Sequence, residues 1–169
     1  MSKLSGIDWS NFLSQWFLLV FFIIEAAAKI YTNREHQFSI VENHGLYDDI
    51  SQDQRGTALT TASLVFGGLA IILSENPSQY VTQIEIFAVA FGLLLIAAFA
   101  HELTLSYRMV LTLQEMSLEY GLLFLVYGLF LLISEIVSGA STVMLIVFLT
   151  VLMFRFISVK GEIEAHYNE

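Results

Sequence analysis

Long apolar runs alternate with short polar breaks along this chain, and the length of the runs decides what they form. A helix rises about 1.5 Å per residue, so roughly 20 apolar residues cross the hydrocarbon of a bilayer. The first such window runs from Trp9 to Tyr31, with Glu25 and Lys29 near its far end. The second, Gly56 to Ser74, carries no charge. The third starts at Val81, has Glu85 close to its entrance, and is uncharged from Ile86 to Ala100 before His101 and Glu102. A fourth is uncharged from Tyr120 to Ser134, and a fifth from Ile136 to Phe154, its helix beginning after the turn signal Ser138-Gly139-Ala140-Ser141. The pattern predicts spans of about 9–31, 56–74, 81–106, 113–136 and 140–159, a polar loop over 32–55 and an acidic tail over 161–169.

Membrane strands would need many alternating segments of about ten residues, whereas these runs are apolar on all sides. The expectation is therefore an all-α integral membrane protein, a single bundle of about five transmembrane helices. Four spans plus an N-terminal interfacial helix is the alternative. Lys3, the apolar run Phe12–Ile24 and the small residues Ala26, Ala27 and Ala28 also resemble a signal peptide.

Composition agrees with a membrane chain, since 56% of residues are hydrophobic, 14% are charged and the mean hydropathy is +0.70. With 7 Lys and Arg against 16 Asp and Glu, the net charge of -9 argues against nucleic acid as a partner and against a basic anchor for anionic lipid. The absence of cysteine excludes disulfides, thiolate metal sites and cysteine nucleophiles. Basic residues also set the orientation. Alternating spans place Lys29, Arg34, Arg55, Arg108, Arg155 and Lys160 on one side and leave Lys3 on the other. By the positive-inside rule the N-terminus is expected outside and the C-terminus in the cytoplasm.

Several polar and small residues mark faces of the predicted helices. Gly121, Gly128 and Glu135 fall on one side of the fourth span, and Ala88 and Gly92 lie near Glu85 on the third. Gly67 and Gly68 mark the second. Small residues let membrane helices approach closely, so these are expected packing surfaces. Glu85 and Glu135 fall at similar depth near the outer surface. In a homo-oligomer they could ring a pore mouth and concentrate cations, although ordinary interfacial carboxylates would occupy the same depth.

The inner ends gather Glu25, Lys29, His101, Glu102, Arg108, Glu115 and Glu119, followed by Arg155 and Lys160. Glu25 and Lys29 are spaced as a helical ion pair, with the acid N-terminal. Glu115 and Glu119 repel unless Arg108, Arg155 or a bound cation lies between them. In the 32–55 loop, His36, Glu42, His44, Asp48, Asp49 and Asp53 match neither a calcium loop nor a zinc motif. His101-Glu102 opens a zincin pattern that Leu105 breaks, and no nucleophile elbow or phosphate-binding glycine loop occurs.

No enzymatic activity, cofactor or metal is expected. Two function classes fit: a homo-oligomeric cation-conducting channel or small transporter, and a non-catalytic subunit of a larger membrane assembly. The expected partners are the lipid bilayer, further copies or other membrane subunits, and an inorganic cation.

Overall fold

A computed structural model describes residues 15–32, 44–75, 77–104, 108–136 and 141–167. The described elements are α1 (Gln15–Thr32), α2 (His44–Glu75), α3 (Val81–Phe99), the short α4 (His101–Thr104), α5 (Arg108–Ile136) and α6 (Ser141–Tyr167). Among the described residues there is no strand, and the protein is an all-α membrane bundle. Three stretches are long and apolar enough to cross a membrane: Asp48–Ser74, Val81–Leu103 and Met109–Glu135. A shorter apolar stretch, Leu145–Arg155, lies in α6.

Charge-free windows find only the part of a helix that lipid surrounds, and the helices run further. α2 begins at His44, so residues 44–55 of the predicted polar loop are its first turns. α6 likewise continues through Lys160 into the predicted tail, as far as Tyr167. The third predicted span divides at Ala100, whose N–H still bonds Ile96 O at 2.9 Å while Leu103 N–H closes a tighter turn on Ala100 O. The rest of the loop, residues 33–43, lies outside the described residues, as do the N-terminal part of the first predicted span and residues 138–140 of the turn signal.

α5 is the hub, touching α1, α2, α3, α4 and α6. Its neighbours α3 and α6 run against it. On the α3 side Gly121 meets Leu94, Gly128 meets Phe87 and Glu135 meets Gln83. On the α6 side Tyr127 packs on Phe148 while Glu119 reaches Arg155. α2 returns through the turn at Pro77–Tyr80 into α3 and packs along it with small residues, Ala58 against Ala97 and Ala98. The central core joins Leu18 of α1, Ile86, Ala90 and Leu93 of α3, Tyr120, Phe124 and Tyr127 of α5, and Phe148 of α6.

The outside is apolar, unlike that of a water-soluble bundle, and a few polar side chains lie inside beside the apolar core. Leu64, Phe66 and Ile71 of α2, Ile23 and Ile24 of α1, and Ile146, Phe154 and Ile157 of α6 are exposed, whereas Glu25, Ser51, Gln83, Gln114 and Ser117 are buried. That distribution suits a bundle whose surroundings are lipid. Hydroxyls in the helices mostly satisfy themselves locally: Thr57, Thr60, Ser63, Ser74, Ser134 and Thr150 each donate to a carbonyl three or four residues back. This is the low-cost solution for a hydroxyl in hydrocarbon.

Candidate functional site

Two polar networks occupy the half of the bundle where α5 begins. The first binds α1, α5 and α6. Glu25 of α1 is 8% exposed, and its two carboxylate oxygens take different partners. The Tyr120 hydroxyl donates to Oε2 at 2.8 Å, and the Arg155 guanidinium donates to Oε1. Lys29, one turn along α1, brings Nζ to 3.6 Å from Oε1. Arg155, whose side chain is 10% exposed, also places a guanidinium nitrogen 2.7 Å from Glu119 Oε2. Its Cζ lies 5.8 Å from the centre of the Tyr120 ring, so cation–π attraction adds to the ion pairs. Phe22 closes the other side of that ring edge-on, at 5.3 Å.

The network balances two carboxylates against two cations. Burial of an ion pair is tolerable only when charge and hydrogen bonding are both met, and here they largely are. Arg155 takes the position between the acidic side chains, and Glu115 turns outward to the exposed side of α5. Glu102 is also exposed, and the Arg108 side chain lies outside the described residues. Among the described residues no three His, Cys, Asp or Glu side chains converge as a metal-binding group.

The second network joins α2, α4 and α5. Ser51 is fully buried; its hydroxyl donates to Gln114 Oε1 at 2.7 Å, and Gln114 Nε2 donates back to the Ser51 carbonyl at 3.0 Å. That reciprocal pair fixes the amide orientation. With the hydroxyl hydrogen committed to Gln114, the 2.9 Å contact between Ser51 Oγ and His101 Nδ1 has the imidazole as donor. His101 Nε2 lies 3.8 Å from Asp48 Oδ1, an ion pair when the ring is doubly protonated. Serine, histidine and aspartate thus fall in a row, but a nucleophilic serine needs an exposed oxygen and a lone pair on the facing nitrogen. Ser51 has neither, and the arrangement ties helices together.

At the opposite end of the bundle, Gln83 donates through Nε2 to Glu135 Oε2 at 2.7 Å. Glu85 is two residues beyond Gln83, about 200° around the helix, so the structure does not bring the Glu85 and Glu135 carboxylates together within one chain. Both are exposed. The small-residue faces also divide. Gly121 and Gly128 are buried against α3, where an added Cβ would lie 2.9 Å from Leu94 Cγ and 2.8 Å from Phe87 Cε1. Gly67, Gly68 and Gly92 have nothing within 4 Å of such an atom, and Ala88 is exposed.

Ser51, Gln83, Gln114 and Tyr120 escape a search for charges and glycines. One signal could have found Ser51: Ser51, Ala58, Ala62, Val65 and Ile72 follow a three–four–seven spacing, and all five are buried. No protein-family model, curated protein or solved structure matches the chain.

Proposed function

We propose that the protein is a small cation-conducting channel or transporter that works as a homo-oligomer, with the Glu135 end outside and the His101 end facing the cytoplasm. The observation that supports this reading is the open face of α3. Glu85, Ala88 and Gly92 share one side of the helix by their spacing; Glu85 and Ala88 are exposed, and nothing lies within 4 Å of where a Cβ on the half-buried Gly92 would stand. A thin face beside a carboxylate suits close contact between copies, with the acid at the water-filled mouth of the contact. Glu135, held by Gln83, adds negative charge at the same end.

The test is a mass measurement of the purified protein in detergent, followed by cation flux in liposomes for the native chain, Glu85→Gln and Glu135→Gln. A discrete homo-oligomer with flux that falls in the variants, assembly being intact, is the expected result. Unchanged flux in both variants would remove the proposed role of the carboxylates.

The closed charge network around Arg155 favours a second reading, a non-catalytic subunit of a larger membrane assembly. Charges that neutralise one another within the chain serve folding and leave the outer faces for neighbours. That reading expects other chains to co-purify in fixed ratio and the isolated protein to be inert.

A further inference from the structure

We draw no further inference here: the strongest candidate, the exposed side of α2 opposite its packed face, where Gly56, Thr60, Ser63, Gly67, Ala70 and Ser74 share one line along the helix, is a stripe of small residues, and nothing in the structure shows what covers it.

Discussion

Gly128 of α5 lies against the ring of Phe87 on α3 so closely that a Cβ at that glycine would fall 2.8 Å from Cε1. Seven residues earlier, Gly121 stands in the same relation to Leu94. The glycine face of α5 is therefore consumed inside the chain, and the antiparallel α3–α5 pair depends on it. Gly128→Ala and Gly121→Ala should each cost about 1–3 kcal/mol, the usual penalty for forcing atoms into a packed contact. Gly67→Ala and Gly68→Ala, made where nothing lies within 4 Å, should be neutral or stabilising by up to about 1 kcal/mol through helix propensity. Unfolding curves of the four variants check this, and equal effects at all four would refute the packing argument.

Arg155 faces two carboxylates, and removing it leaves Glu25 buried beside Tyr120 with Lys29, among the described residues, to offset its charge. Breaking a buried pair by deleting one partner typically costs about 3–5 kcal/mol, because the remaining charge keeps its desolvation penalty. Arg155→Gln should show that loss. Adding Glu25→Gln to it should restore much of the stability, since the second substitution removes the stranded charge. If the double variant were no more stable than Arg155→Gln alone, the ion pair could not be what holds α1 to α6.

The three long apolar stretches, and with them the all-helical class, are legible in the sequence because apolarity over some twenty residues has few other uses. Individual polar contacts are not. Glu25 and Lys29 are readable as a local pair by their spacing, but the Arg155 partner is 130 residues away in sequence and only folding brings it near. Glycines give the opposite lesson. Gly121, Gly128, Gly67 and Gly92 look alike in the sequence, yet whether a glycine is filled or open depends on which helix arrives beside it. On α2 the side packed within the chain is built from Ala58 and Ala62, which are as apolar as the residues on its exposed side and so carry no signal of their own.

Tyr120 is the pivot of the first network, with its hydroxyl on Glu25, its face under Arg155 and its edge against Phe22. Tyr120→Phe keeps the ring contacts and deletes only the donor. A hydrogen bond to a charged group contributes about 1.5–3 kcal/mol, so the loss should fall in that range and be smaller than for Arg155→Gln. A phenylalanine variant as stable as the native chain would mean that Glu25 finds a replacement donor.

The row Asp48, His101 and Ser51 makes a separate prediction about chemistry. A phosphonylating probe labels serines whose oxygen is accessible and activated by a base. Ser51 Oγ is fully buried and gives its proton to Gln114, while the facing imidazole nitrogen donates to it. The folded protein should therefore resist such a probe entirely. Ser51→Ala should act on stability instead, by about 1–3 kcal/mol, because the Gln114 carboxamide oxygen and the His101 Nδ1–H lose their partner in one step. Stoichiometric labelling of Ser51 in the folded protein would refute this, since it requires an accessible, activated hydroxyl where the structure has a buried link between α2, α4 and α5.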